Sequence, residues 1–315
     1  MRDPEAFRVE AVARLRAAVP GRAIVAASGG IDSTVAARLV QEALGERARV
    51  LFVDTGLLRD GEAERVGTFF RGSGLAFELI SAEDRFFAAL AGVADPEEKR
   101  RRIGTAFIRL FEEEAARSGA EVLIQGTIAP DWIESGGQLR DTIKTHHNVG
   151  GLPKDLALTI VEPLRDLYKD EVRQLARHLG VPEPERQPFP GPGLAVRVAG
   201  PVSRERVARA RVANAIVEQE VERAVAKGEL ARPWQYFAVL LPIPTVGVMG
   251  DNRVAGEAVS VRIVESIDAM TATAMPVPPE LLRTIAERIT RALQGTVTRV
   301  LYDVTDKPPA TIEWE

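Results

Sequence analysis

The sequence predicts an α/β protein: a doubly wound parallel sheet in the first 188 of its 315 residues, then a smaller α+β domain over 189–315. Three observations carry this expectation. Short apolar runs alternate with segments of helical period through the first part, the pattern of a parallel sheet covered on both faces. The string Pro188-Phe189-Pro190-Gly191-Pro192-Gly193 is rigid punctuation of the kind that separates domains. Beyond it the texture changes to a charged helical segment followed by apolar runs of strand character.

Taken in order, the apolar runs at 23–27, 50–53, 76–80, 122–124 and 158–161 are the expected strands, and 60–71, 97–117 and 169–179 are expected helices. In such sheets ligands bind beyond the carboxyl ends of the strands, where the strand order switches. Informative polar residues follow three of the runs: a glycine turn after the first, Asp54-Thr55-Gly56 after the second and Gln125-Gly126-Thr127 after the fourth. In the second part, helices are expected over 203–227 and 279–293, and strands over 237–241, 245–249, 259–264 and 297–304.

The first strand is followed by Ser28-Gly29-Gly30-Ile31-Asp32-Ser33 and then by an amphipathic run at 35–40. Strand, glycine turn and helix start aim backbone N–H groups and the positive end of a helix at one point, which makes an anion site. The glycines permit close approach of a phosphate, and Ser28 and Ser33 add hydroxyls. Asp32 would repel a bare phosphate, so its presence implies a nucleotide bound with Mg²⁺, for which Asp32 is the candidate ligand. The turn lacks the lysine of a Walker loop. A plain turn with Asp32 as a helix cap is the local alternative.

Residues from about 127 to 154 break the alternation with a long polar segment that reads as a lid. It carries Asp131, Glu134, Lys144, His146 and His147. Lysine suits neutralisation of a phosphate and histidine suits hydrogen bonding or proton transfer near neutral pH. Adjacent histidines rarely share a metal cleanly, and without thiolates a zinc site is not the expectation.

Composition narrows the function. Formal charge is −4, with 41 basic and 45 acidic residues, so no global basic field invites nucleic acid. No apolar run approaches membrane-span length and no signal-peptide pattern opens the chain, so a cytoplasmic protein with no membrane partner is expected. There is no cysteine, which excludes a disulfide, a thiolate zinc site and a cysteine nucleophile in this chain. Any ammonia the reaction needs must come from solution or from another polypeptide.

The string SGGIDS resembles the pyrophosphate-binding loop of ATP pyrophosphatases. With FVDTGLLR, AEDRFFAALAGVADPEEKRRRIG, IQGTIAPDWIES, KTHHNVGGLP, EPLRDLYKDEV, PFPGPGLAVRV, AVLLPIPTVGVMGD, RIVESIDAMTA and KPPATIEWE, the chain is similar nearly end to end to the GMP synthase family. The resemblance is to its stand-alone ATP pyrophosphatase subunit of the two-subunit, archaeal type. It implies an adenine nucleotide α-hydrolase-like fold with a C-terminal dimerisation domain. It also implies a two-step reaction. XMP O2 attacks the α-phosphorus of Mg-ATP to give adenylyl-XMP and pyrophosphate. Ammonia then attacks C2 and expels AMP, leaving GMP.

Residue by residue, the resemblance implies ATP binding by Ser28, Gly29, Gly30, Ile31, Asp32, Ser33, Thr34, Val53 and Asp54. It assigns adenylation to Asp131, Glu134, Lys144, His146 and His147 of the lid. It assigns XMP binding to Arg100, Gln235, Lys307, Thr311, Ile312 and Glu313, with Lys307 meeting the 5′-phosphate and Glu313 accepting from the purine or ribose. Partners implied are a separate glutamine amidotransferase subunit that supplies ammonia and a second copy of the chain as a homodimer. Gln187 stands where many relatives have histidine. Two other readings of the residues stay open at this level. One is a different ligase of the same loop type, such as an NAD synthetase or a tRNA-modifying enzyme. The other is a non-catalytic nucleotide-binding scaffold.

Overall fold

The computed structural model describes residues 3–72, 76–129, 158–181, 187–267 and 269–315. Five strands pair in parallel in the order β3-β2-β1-β4-β5: β1 (Arg22–Ala27), β2 (Ala48–Asp54), β3 (Phe77–Ser81), β4 (Ala120–Ile124) and β5 (Thr159–Val161). These are the five expected apolar runs. Buried β-branched and aliphatic residues such as Ile24, Val25, Val50, Leu51, Val122 and Ile124 explain why they form interior strands. The chain steps from β1 through β2 to β3 on one side, then returns to set β4 and β5 on the other. The order reverses at β1 and β4, so their carboxyl ends form the switch point of a doubly wound sheet.

Connecting helices are α1 (Pro4–Ala18), α2 (Ile31–Leu44), α3 (Glu62–Gly72), α4 (Glu83–Leu90), α5 (Pro96–Ser118) and α6 (Lys169–His178). The alternation of the sequence did not mark α1 or α4. Helix α1 buries Phe7, Ala11, Val12 and Leu15, a stripe diluted by alanine, and its start is written in the Asp3 carboxylate accepting from Glu5 N–H at 3.2 Å and in Pro4. Helix α4 has eight residues, too few to display a period. Helix α2 is the central one: it packs against α1 and α6 and buries Val35, Ala36, Ala37, Leu39 and Val40.

The chain forms two compact units. The first takes 1–54, 63–82 and 105–185, and the second takes 55–62, 83–104 and 186–315. The second unit thus recruits two stretches that precede the proline–glycine string, where the sequence suggested one boundary after residue 188.

In the second unit, α7 (Arg204–Ala226) starts at Ser203, whose hydroxyl accepts from Arg206 N–H at 3.2 Å. It packs on β6 (Gln235–Met249), and α8 (Pro279–Ala292) packs on α7 and on β9 (Val297–Tyr302). The sheet is built around β7 (Asn252–Glu265). Strand β6 pairs with it antiparallel along one edge. Parallel β9 and antiparallel β8 (Thr273–Ala274) share the other. Two strands were expected where β6 is one. Pro242 and Pro244 have no N–H for the ladder, so the register shifts between Leu241 and Thr245 while the strand runs on.

Phe237, Val239, Leu241, Ala258, Val264, Ala272 and Ile312 form one buried cluster, with Trp234 packed against it. Ile312 therefore draws the segment 307–315 into the core of this unit. Among the described residues no helix is long and apolar enough to cross a membrane.

Gly126, just past β4, lies hard against the first turn of α2: a Cβ there would sit 2.7 Å from Ser33 N and 2.8 Å from Ser33 Cα. Backbone cannot yield as a side chain can, so Gly126→Ala is expected to cost about 1–3 kcal/mol. The check is the midpoint of urea unfolding, and an unchanged midpoint would contradict so close an approach.

Candidate functional site

In the first unit, the turn after β1 is shaped by its own side chains. Gly29 has φ +78°, and a Cβ on it would meet Val66 Cγ2 at 2.6 Å, so both conformation and space demand glycine. Ser33 Oγ accepts from Ser28 N–H at 3.1 Å and donates to Gly30 O at 3.0 Å. Thr34 Oγ1 donates to the same carbonyl at 2.9 Å, and the Ser28 and Ser33 hydroxyls lie 3.1 Å apart. These bonds fold Ser28–Thr34 into a tight turn whose exit is the N-terminus of α2. Gly30 holds the cap position and no side chain caps it, so the positive end of α2 faces outward with Ile31, Asp32 and Ser33 in its first turn.

Asp32 and Lys169 meet here although 137 positions separate them. Lys169 Nζ donates to both carboxylate oxygens of Asp32, at 2.9 and 2.7 Å. Lys169 opens α6, which packs on α2, so the fold itself brings the cation to the loop. Both side chains keep solvent access, at 42% and 23%, which leaves the pair able to rearrange around an anion. Val53 is buried at the end of β2, and Asp54 O accepts from Ala82 N–H at 2.8 Å. Asp32 offers hard oxygen donors that suit Mg²⁺. Among the described residues no group of three or more metal-ligating side chains converges. Asp131, Glu134, Lys144, His146 and His147 lie outside the described residues.

In the second unit, segment 307–315 is gripped by three cations with no exposed surface: Lys99, Arg197 and Arg262. Arg197 forms a two-point pair with Glu313 (Nε to Oε2 3.1 Å, Nη2 to Oε1 2.8 Å) and its Nη1 donates to Asn214 Oδ1 at 2.9 Å. Its guanidinium also lies over the rings of Phe189 and Phe237, at 5.1 and 4.3 Å. Gln235 Nε2 donates to Glu313 Oε1 at 2.8 Å, so two residues far apart in sequence share one carboxylate. Arg262 donates to Ile312 O, Thr311 O, Thr305 O and Asp303 Oδ2, all at 2.8–2.9 Å. Trp314 Nε1 donates to the same Asp303 at 3.0 Å.

Lys307 is half-buried and its ammonium donates to Ala269 O at 2.8 Å, while its backbone pairs with Ala272. Arg100 is placed otherwise: it pairs with Glu97 at 2.5 Å on an exposed face of α5 and is not bonded to Gln235 or Glu313. Gln187 bridges Tyr236 N–H (2.7 Å) and the Glu218 carboxylate (3.0 Å). Burial pushes the Glu218 carboxyl up, against the lowering pull of Arg59 and Arg197.

Lys169, Arg197 and Arg262 were not singled out in the sequence, and Lys99 stands in the charged run 97–102, which reads as a solvated helix face but has this one side chain turned wholly inward. Each lies in a quoted motif, EPLRDLYKDEV, EEKRRRIG, PFPGPGLAVRV or RIVESIDAMTA, but its partners are distant in sequence. The available signal was charge inside apolar strings, as in LAVRV and VRIV.

The family described as GMP synthase C terminal domain matches residues 221–314. Over almost the whole chain there are curated relatives. A glutamine-hydrolyzing GMP synthase subunit of Pyrococcus horikoshii is 58% identical over 313 residues, 98% of each chain. The corresponding subunit of Methanopyrus kandleri is 55% identical over 319 residues, covering both chains completely. That of Thermoplasma acidophilum is 54% identical over 297 residues, 94% of each. With the doubly wound sheet, the glycine turn at its switch point and identity of this extent along both units, this chain belongs to the family of these glutamine-hydrolyzing GMP synthase subunits.

Proposed function

We propose that this chain is the ligase that aminates XMP to GMP, with ATP as cosubstrate and ammonia supplied by a separate glutamine amidotransferase subunit. The observation that carries the reading is the carboxylate of Glu313, fixed by Arg197 and Gln235 within a tail that resembles the family's XMP-binding segment. Held at two points, it accepts hydrogen bonds from a purine or ribose and reads a nucleoside by donors. Lys307 supplies the charge for the 5′-phosphate, and the backbone at Thr311 and Ile312 is held for it by Arg262. Arg100, on its exposed face, has the weakest claim among the XMP residues.

On the ATP side, the turn Ser28–Thr34 and the N-terminus of α2 hold the pyrophosphate that leaves. Val53 and Asp54 take the adenosine at the end of β2. When bound, Mg²⁺ supplies charge neutralisation to the departing pyrophosphate, and Asp32 is the residue that would hold it. Lys169 exchanges its pairing with Asp32 for phosphate oxygens as the nucleotide enters. Attack of XMP O2 on the α-phosphorus breaks the bond to the β-phosphate, and the electron pair departs on pyrophosphate. Ammonia then adds at C2, the C2–O bond breaks and AMP leaves. Assigned to the lid, Lys144 steadies the α-phosphate, His146 and His147 serve hydrogen bonding and proton transfer, and Asp131 and Glu134 position them.

This chain has no cysteine, so glutamine hydrolysis belongs to the other polypeptide. The same reading makes the protein a cytoplasmic homodimer joined through the second unit, whose β6 presents Ile243, Val246 and Val248 to solvent.

Purified chain with Mg-ATP, XMP and ammonium salt is expected to release GMP, AMP and pyrophosphate in equal amounts. Glutamine in place of ammonium, with no second protein, should yield nothing. AMP release that does not depend on XMP would point to another ligase of the same loop type, and no AMP release at all to a scaffold. Lys307→Ala should raise the KM for XMP at least tenfold while moving the KM for ATP less than twofold. Equal rises in both would remove Lys307 from the XMP site.

A further inference from the structure

Lys99 is the least expected cation in the molecule. It sits near the start of α5, inside the run Glu97-Glu98-Lys99-Arg100-Arg101-Arg102, whose arginines pair with neighbouring glutamates on the surface. Lys99 alone of that run is turned wholly inward. A lysine ammonium has three N–H donors, and three acceptors converge on this one. They are Val198 O at 2.7 Å, Ala195 O at 3.3 Å and the carboxylate of Glu315. The other oxygen of Glu315 accepts from Gly200 N–H at 3.0 Å. Burial pushes the Lys99 ammonium down from its ordinary range and Glu315 pulls it back up.

The identity of those acceptors matters more than their number. Ala195 and Val198 bracket Arg197 in the chain, and Glu315 lies two residues beyond Glu313. Lys99 is thus bonded to carbonyls on either side of the residue that holds Glu313, and to the residue two positions beyond the one that is held. Packing alone does not account for such a lysine, because an apolar side chain of similar volume usually serves stability as well as a buried ion pair does.

We propose that Lys99 is a positioning residue of the XMP site: through Ala195, Val198 and Glu315 it clamps both partners of the Arg197–Glu313 pair and so sets the Glu313 carboxylate for the nucleotide. This rests on the reading of the tail as the XMP-binding segment. Lys99 does not touch the nucleotide. Its effect falls on XMP and spares ATP.

The test is calorimetric titration of the full chain with XMP and, separately, with Mg-ATP, which needs neither the glutaminase nor turnover. Glu315→Ala releases one arm of the clamp and is expected to weaken XMP about tenfold, or about 1.4 kcal/mol, with Mg-ATP affinity within twofold. Lys99→Met should weaken XMP at least as much, and combining the two should add little, because both remove the same clamp. Should Lys99→Met fail to fold, Glu315→Ala decides the matter by itself. XMP affinity within twofold of the unaltered chain in Glu315→Ala, or equal weakening of XMP and ATP, overturns the clamp and leaves the proposed activity standing. No XMP binding by the unaltered chain overturns the activity and the clamp with it.

Discussion

A cation with no exposed surface must find its anion and its carbonyls inside the protein, and the second unit is organised around three of them. Removing an ammonium or guanidinium from water costs several kcal/mol per ion even after relaxation, so each must be met by well-placed acceptors. For Lys99, Arg197 and Arg262 many of those acceptors lie between Asp303 and Glu315. The cations therefore do not decorate a segment that is already in place. They require it there, and it in turn carries Ile312 into the apolar cluster beneath the sheet. Packing and electrostatics point the same way in fixing a stretch with little regular secondary structure.

The first unit meets the opposite demand. There the Asp32–Lys169 pair stays partly open to water. Asp32 gains from the positive end of α2 yet stands where phosphate charge would repel it. Lys169 offsets that charge from a helix packed alongside. The loop is shaped by hydroxyl-to-backbone bonds within Ser28–Thr34. A turn held by its own hydroxyls beside a part-exposed charge pair is the arrangement on which the proposed pyrophosphate site rests.

What could be read in the sequence was what depends on near neighbours. The strands of the parallel sheet show as apolar runs because burial on both faces leaves no polar alternation to confuse them. The glycine turn shows because a positive φ at Gly29 and a close backbone approach at Gly126 leave one residue type possible. Helix α4 was missed for want of length, and β6 was split because Pro242 and Pro244 interrupt its pattern without ending it. The meeting of Gln235 with Glu313 was suggested by family likeness, not by spacing. The cations were illegible for a plainer reason: in local sequence Lys99 is one more charge on a helix, and its burial is decided by residues 96 to 216 positions away.

Those long separations bear on how the molecule is made. Lys99 leaves the ribosome some two hundred residues before Glu315. The first unit can close its parallel sheet once β5 has been synthesised, from contacts already present in the growing chain. The second unit cannot: until residue 315 is made, the site prepared for Lys99 lacks its anion, Arg262 lacks the carbonyls of Thr311 and Ile312, and a gap remains where Ile312 belongs. Its closure waits on residues 303–315. A chain stopped short of residue 303 would have the parallel sheet and glycine turn of the first unit formed and the second unit still open.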